Sequence, residues 1–226
     1  MKKIILLLLA LCCVACQGQP TQNEPQNSEP SQEETLSLPK KAIPDSSLAS
    51  ESPITSTNID DYLFRDDCMY IDTRSPQQFL EEGHIAGFVN IPFYEALVGL
   101  KPTENLLYTT TTIRDENNEV KAIVGDVNSY TPNYEESKRI IESTFPKDKN
   151  LLIISTAGVE SAYLINLLLQ LGYDGSKLYN VGTFSNGMGD IVAYRTYKDA
   201  KYYVEGVYAY TVHPTYDYGE LTWIQE

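Results

Sequence analysis

Residues 151–172 read LLIISTAGVESAYLINLLLQLG, and this stretch decides the fold. Its first four residues are apolar and partly β-branched, which predicts a short strand buried on both faces of a parallel sheet. Four small residues follow, and from Val159 apolar residues recur at the spacing of a helix face until Gly172, which is suited to end a helix. A strand, a tight loop and a helix in this order leave unpaired backbone N–H groups around one small volume. We therefore expect any functional site to lie at this loop.

Two further motifs precede this stretch. Residues 68–71 predict a strand that ends in DTR at 72–74, and SPQQ at 75–78 predicts a helix start with a capping box and a proline at the first helical position. Residues 83–92 then read GHIAGFVNIP, whose first glycine is placed to close that helix. We expect the aspartate and arginine of DTR to form an internal hydrogen-bonded pair, and His84 to be structural.

These motifs resemble those of the rhodanese-like (sulfurtransferase) family. DTR and GHIAGFVNIP are similar to the family's Asp-x-Arg and Gly-His-Ile-x-Gly-Ala-x-Asn-Ile-Pro, and STAGVES at 155–161 is similar to its loop Cys-x-x-Gly-x-Arg-Ser. The resemblance covers about residues 59–189 with the insertion set aside. It implies an α/β fold, namely a three-layer rhodanese-like domain with a central parallel sheet.

The same resemblance indicates what the loop lacks. It places Ser155 where the family has its active-site cysteine and Glu160 where the family has an arginine, so that a negative charge replaces a positive one. It therefore implies a domain without sulfurtransferase activity that acts as a binding or regulatory module, with no catalytic residue and no cofactor. The implied ligand-binding loop consists of Ser155, Thr156, Ala157, Gly158, Val159, Glu160 and Ser161.

An enzyme is the alternative. In one version Ser155 is a nucleophile or Glu160 a general acid or base in some other chemistry, although a serine without an adjacent base is a poor nucleophile. In the other version residual sulfurtransferase activity uses Cys68, the one cysteine outside the first sixteen residues. We expect Cys68 at the opposite end of its strand from the loop, too far away to serve it.

The N-terminus has the pattern of a bacterial lipoprotein signal. Two lysines precede the apolar residues 4–15, a run too short to span a bilayer, and Val14-Ala15-Cys16 resembles a lipobox. This predicts a signal peptide over residues 1–16 and a lipid on Cys16. The protein is then anchored to a membrane of the bacterial cell envelope and faces the periplasm or the exterior. An ordinary secretory signal is the alternative.

Composition divides the rest of the chain into three parts. Residues 17–57 hold six of the twelve prolines and no aromatic residue, which predicts a disordered linker. Residues 58–190 are the predicted rhodanese-like domain, with an insertion at about 95–132 whose segments 106–113 and 120–127 indicate an inserted β-hairpin. Residues 191–226 are rich in tyrosine and predict an aromatic, β-rich C-terminal extension that packs on the domain.

Charge and residue usage limit the partners. A formal net charge of −14 argues against nucleic acid, since phosphate backbones are held mainly by Lys and Arg. Two distant histidines and one body cysteine provide no metal-ligand spacing. The expected partners are an unknown protein or small molecule in the cell envelope, and the membrane through the lipid anchor.

Overall fold

The computed structural model describes residues 36–101, 104–112, 128–187, 190–207 and 218–224. The strands are β1 (Cys68–Asp72), β2 (His84–Ile85), β3 (Val89–Asn90), β4 (Val98–Gly99), β5 (Tyr108–Thr112), β6 (Asn128–Pro132), β7 (Asn150–Ser155), β8 (Leu178–Thr183) and β9 (Tyr203–Val204). The α-helices are α1 (Pro76–Glu81), α2 (Ser137–Thr144) and α3 (Val159–Gln170). Short 3₁₀ turns lie at Ala49–Glu51, Ile59–Tyr62, Gly175–Lys177 and Tyr194–Thr196, and a π-helical turn lies at Phe93–Leu97.

Four parallel strands form the central sheet, in the order β3-β1-β7-β8. β7 is an inner strand, because Leu152 pairs with Tyr70 on one side and with Tyr179 on the other. Residues 151–154 of β7 are completely buried, as expected for a strand covered on both faces. The predicted α/β class and central parallel sheet are confirmed, and the layers on its two faces are compatible with a three-layer arrangement.

Helices α2 and α3 cover one face of the sheet. Leu151 and Ile153 of β7 pack there in one apolar cluster with Ile141 of α2 and with Leu164 and Leu168 of α3. Side chains alternate along a strand, so the intervening residues of β7 point to the other face.

Both predicted helix signals match the structure. At the start of α1, the Gln78 N–H donates to Ser75 Oγ at 3.1 Å, and the Ser75 N–H donates to Gln78 Oε1 at 3.3 Å, which completes a capping box. After α3, Gly172 adopts φ +80°, and the N–H of Tyr173 bonds to the carbonyl of Leu168 at 3.1 Å. This is a Schellman ending, which requires a left-handed residue such as glycine.

The opposite face is covered mainly by irregular segments rather than helices. Leu152 and Ile154 of β7 pack in a second apolar cluster with Ile54, Ile59 and Phe184. The residues that form this layer come from three separate parts of the chain, before β1, between α1 and β3, and after β8.

The prediction of a disordered linker over residues 17–57 needs correction in its last part. Residues 36–57 pack on the domain: Ile54 is completely buried, and the Lys41 ammonium donates to the carbonyl oxygens of Gly175 at 2.9 Å and Leu178 at 2.8 Å. A few apolar residues in a polar segment are enough to join a core, which average composition does not reveal.

The predicted signal peptide 1–16, with Cys16, and residues 17–35 of the predicted linker lie outside the described residues. Within the part of the chain that the structure describes, no helix is long and apolar enough to cross a bilayer.

The insertion forms a β-hairpin, but its second strand differs from the prediction. β5 pairs antiparallel with β6 at 128–132 rather than with 120–127, and residues 113–127 lie outside the described residues. With β4, the hairpin makes a separate three-stranded sheet. Tyr130 Oη donates to the Tyr163 carbonyl at 2.9 Å, and Gln170 bonds to both backbone groups of Tyr130. The described part of the hairpin therefore packs along α3.

The described residues of the C-terminal extension contact the domain at several places. β9 pairs antiparallel with β2, and the Trp223 ring packs edge-on against Tyr134 at 5.1 Å between centroids. Among the described residues after 190, strand structure comprises β9 and two single bridge residues, Ile191 and Trp223. The predicted β-rich character is therefore wrong for this part, because side-chain packing and isolated backbone bonds hold the extension.

Candidate functional site

The loop predicted as the site lies at the carboxyl end of β7. Ser155 is the last residue of the strand, and α3 begins one residue after Gly158, which has φ +80°. A Cβ at Gly158 would lie 3.5 Å from the Gly182 Cα, and the Gly158 carbonyl accepts a hydrogen bond from Asn180 at 2.9 Å. The positive φ makes glycine the favoured residue at this turn.

Ser155 is completely buried, and its Oγ has no hydrogen-bond partner among the described residues. By strand alternation from Leu151 and Ile153, its side chain lies on the face of the sheet that α3 covers. No base contacts this hydroxyl, and solvent does not reach it. The geometry therefore provides neither activation nor access for a nucleophile at Ser155.

Thr156 fixes the loop to the segment after β8. Its carbonyl accepts hydrogen bonds from Thr183 Oγ1 at 2.6 Å and from the Asn186 N–H at 3.0 Å. Its hydroxyl accepts from Gln78 Nε2 of α1 at 3.3 Å. The sequence did not indicate that Gln78, Thr183 and Asn186 contact this loop, because only the folded chain brings these three positions to it.

Several backbone N–H groups of the loop and of the first turn of α3 have no acceptor among the described residues. Among the described residues, no acceptor bonds the backbone N–H of any residue from 156 to 161, whereas the Ala162 N–H bonds to the Gly158 carbonyl at 3.3 Å. Ala157 is exposed, while Ser161 is completely buried and its hydroxyl also has no partner among the described residues. Free N–H groups at a helix start are suited to donate hydrogen bonds to negatively polarised oxygen atoms.

Glu160 lies in the first turn of α3 and is half-buried. Burial above all, together with the Asp72 and Glu95 charges and against the opposing Arg74 charge, raises the pKa of its carboxyl to about 7. This side chain makes no hydrogen bond to the described residues. The sequence predicts a fixed negative charge at this position, and the structure instead provides a carboxyl that is partly neutral near pH 7.

Asp72 and Arg74 form the predicted internal pair. Both side chains are completely buried, and Arg74 donates to the two carboxylate oxygens from Nε at 3.0 Å and Nη2 at 2.7 Å. The same guanidinium bonds to Glu82 at 3.3 Å and lies 3.7 Å from the centre of the Phe184 ring. The Arg74 guanidinium therefore links β1, the end of α1 and the segment after β8. Together these three parts of the chain frame the loop.

His84 and Cys68 lie away from the chemistry that the alternative needs. His84 stacks on Phe79 at 4.0 Å between ring centroids, and burial lowers its pKa. Cys68 pairs with Asn150, at the end of β7 opposite to Ser155, and burial raises the pKa of its thiol to about 11. A neutral, distant thiol of this kind does not serve the loop.

No group of three or more His, Cys, Asp or Glu side chains within the described residues is arranged to hold a metal ion. A comparison with the models of known protein families and a search of curated proteins both find no match. The assignment of a function therefore depends on the geometry above and on the motifs in the sequence.

Proposed function

We propose that the chain is an exported, lipid-anchored protein whose rhodanese-like domain lacks sulfurtransferase activity and acts as a binding or regulatory module of the cell envelope. The observation that carries this proposal is the burial of Ser155. A residue at the position of a nucleophile that is closed to solvent, and whose hydroxyl has no base beside it, cannot attack a substrate.

The construction of the loop supports a binding role. Hydrogen bonds from Thr183, Asn186 and Gln78 to Thr156 hold its inner side, so its shape is preorganised. The N–H groups of residues 156–161 and the Glu160 carboxyl take no part in these bonds and remain available to a ligand or partner.

A second candidate is an enzyme that uses Glu160 in acid–base chemistry. A carboxyl whose pKa is raised to about 7 lies in the range that suits a general acid or base near neutral pH. Against it, the described residues provide no nucleophile or oriented partner in contact with this carboxyl.

The test is a thiosulfate:cyanide transfer assay on the wild type, Ser155→Ala and Ser155→Cys, with a rhodanese as positive control. All three proteins should stay at the uncatalysed rate. Ser155→Cys restores only the sulfur, and a thiol as buried as Ser155 should keep a raised pKa and resist iodoacetamide until the protein unfolds.

Transfer by the wild type above that of Ser155→Ala would overturn the proposal, and so would activity in Ser155→Cys that approaches the rhodanese. For the second candidate, hydrolysis of p-nitrophenyl acetate and p-nitrophenyl phosphate is compared in the wild type and Glu160→Gln. A rate well above background that Glu160→Gln abolishes would favour the enzyme.

A further inference from the structure

A groove beside the start of α3 is open to solvent and largely apolar. It has a volume of about 700 Å³. Leu100 is 65% exposed and Tyr94 is 39% exposed, which is high for large apolar side chains in contact with a concave surface. The lining residues are Tyr94, Glu95, Val98, Leu100, Glu104 and Leu106.

One end of this groove is acidic, and none of the described residues forms an ion pair with the carboxyls there. Glu95 is exposed, and it lies close enough to Glu160 for their charges to interact. Neither carboxyl has an ion-pair partner among the described residues. Arg74, the cation that interacts with Glu160, already bonds to Asp72 and Glu82. A cation from another molecule would therefore be attracted to this end.

Aromatic rings stand beside these carboxyls. Tyr94 and Tyr163 are 6.5 Å apart between centroids with their planes at 74°, and Phe93 packs against Tyr94 at 5.0 Å. Burial, followed by the charges of Tyr163 and Glu160, raises the pKa of Tyr94 to about 12, so the Glu160 carboxyl is close enough to interact electrostatically with this side chain. Faces of aromatic rings next to carboxylates favour ammonium and guanidinium groups.

We propose that this groove binds a short basic segment of a partner protein, with a Lys or Arg side chain held by Glu95, Glu160 and Tyr94 and with neighbouring apolar side chains on Val98, Leu100 and Leu106. The inference rests on the proposed binding function and names the class of partner. Charge complementarity carries it, given two unpaired carboxyls in a protein of net charge −14. The chain's own segment 17–35 is unsuited to this groove, because it contains four glutamates and no Lys or Arg.

The test uses the full chain in mild detergent and two tetrapeptides, acetyl-Leu-Arg-Leu-Leu-amide and acetyl-Leu-Glu-Leu-Leu-amide, observed by NMR during titration. We expect saturable binding of the arginine peptide with a Kd below about 1 mM and no saturable binding of the glutamate peptide. Glu95→Gln and Glu160→Gln should each weaken binding about threefold, and Tyr94→Ala by a similar factor.

Asp148→Asn is the matched control. It removes one negative charge from an exposed position just before β7, at the end of that strand opposite to Ser155. Binding should also strengthen from pH 6 to pH 8 in the wild type, because Glu160 loses its proton in this range while the arginine stays charged. The charged and titratable groups that interact with Glu160 are Asp72, Arg74, Glu95 and Tyr94. Glu160→Gln should abolish this pH dependence.

Equal binding of the two peptides, or equal losses in Asp148→Asn and in the groove variants, would overturn the inference. The inference would also be overturned if the apparent molecular mass of the wild type rose with protein concentration and that of Tyr94→Ala did not. The groove would then bind a second copy of the chain. If the arginine peptide fails to bind while sulfur transfer stays at background, the inference fails and the proposed function stands.

Discussion

Glu160 shows at the scale of one residue how position controls charge. The side chain stands in a first helical turn, where the N-terminal end of the helix dipole favours a carboxylate. Burial and the nearby Asp72 and Glu95 charges act in the opposite direction. Their combined effect is the larger one, so the pKa rises to about 7. Folding therefore disfavours the charged form of this residue.

This shift predicts a pH-dependent effect of Glu160→Gln on stability. The ordinary pKa of 4.5 applies to the unfolded chain, so the folded state binds more protons between 4.5 and about 7, and the wild type loses stability as the pH rises through this window. Glutamine removes the penalty. From pH 5 to pH 8, the stability of the variant relative to wild type should rise by about 1–2 kcal/mol, discounted for partial exposure, in urea unfolding.

Glu135→Gln is the control for this measurement, since Glu135 is exposed and its replacement should change the stability little at either pH. A variant at position 160 that differs from the wild type by the same amount at pH 5 and pH 8 would contradict the assignment of a raised pKa.

At the scale of elements, the segment 36–57 depends on one buried cation. Lys41 Nζ lies 2.6–2.9 Å from four carbonyl oxygens, two in its own segment and two beside β8, on Pro44, Ser46, Gly175 and Leu178. Burial lowers the pKa of this ammonium to about 8, and the carbonyl oxygens replace the water that it has lost. Lys41 thus ties an irregular segment to the start of the last sheet strand.

Lys41→Met should release this segment without unfolding the sheet. The methionine leaves buried carbonyl oxygens unpaired, which costs about 1–3 kcal/mol for each such group. Thermolysin should therefore cut within residues 36–57 at least about fivefold faster than in the wild type, as followed by mass spectrometry. Lys40→Met is the control, because Lys40 is exposed and its change should leave the cleavage rate unaltered. Equal rates in both variants would show that Lys41 does not hold the segment.

At the scale of the whole molecule, we expect the proposed lipid anchor and the folded domain to act independently of each other. The domain is held by two apolar clusters on the faces of one sheet, and the lipid would attach at Cys16, before a polar segment rich in proline. Lipidation should therefore affect where the domain lies and leave its folding unchanged.

Cys16→Ala tests this separation. Metabolic labelling with a fatty acid should mark the wild type and leave the variant unlabelled, and the variant should remain unprocessed or become soluble. Purified domains of both proteins should unfold at the same urea concentration. Label that persists in Cys16→Ala, or that is absent from the wild type, would refute the lipoprotein assignment.

The elements around the loop were predictable because their signals are local. A run of apolar residues at 151–154, the capping box at Ser75 and Gln78, and Gly172 at a helix end each specify backbone geometry within a few residues. The pairing of Asp72 with Arg74 was likewise predictable, since the two residues lie two positions apart at a strand end.

The tertiary structure decided the properties that depend on contacts between segments far apart in the sequence. The packing of α3 on β7 buries Ser155, burial and the Asp72 and Glu95 charges raise the pKa of Glu160, and Ile54 and Lys41 show that the end of the predicted linker belongs to the domain. Burial and charge interaction depend on distance in space, and a local sequence pattern carries no record of that distance. The sequence by itself therefore determined the strand, loop and helix that build the candidate site, and the folded chain decided its accessibility and its charge.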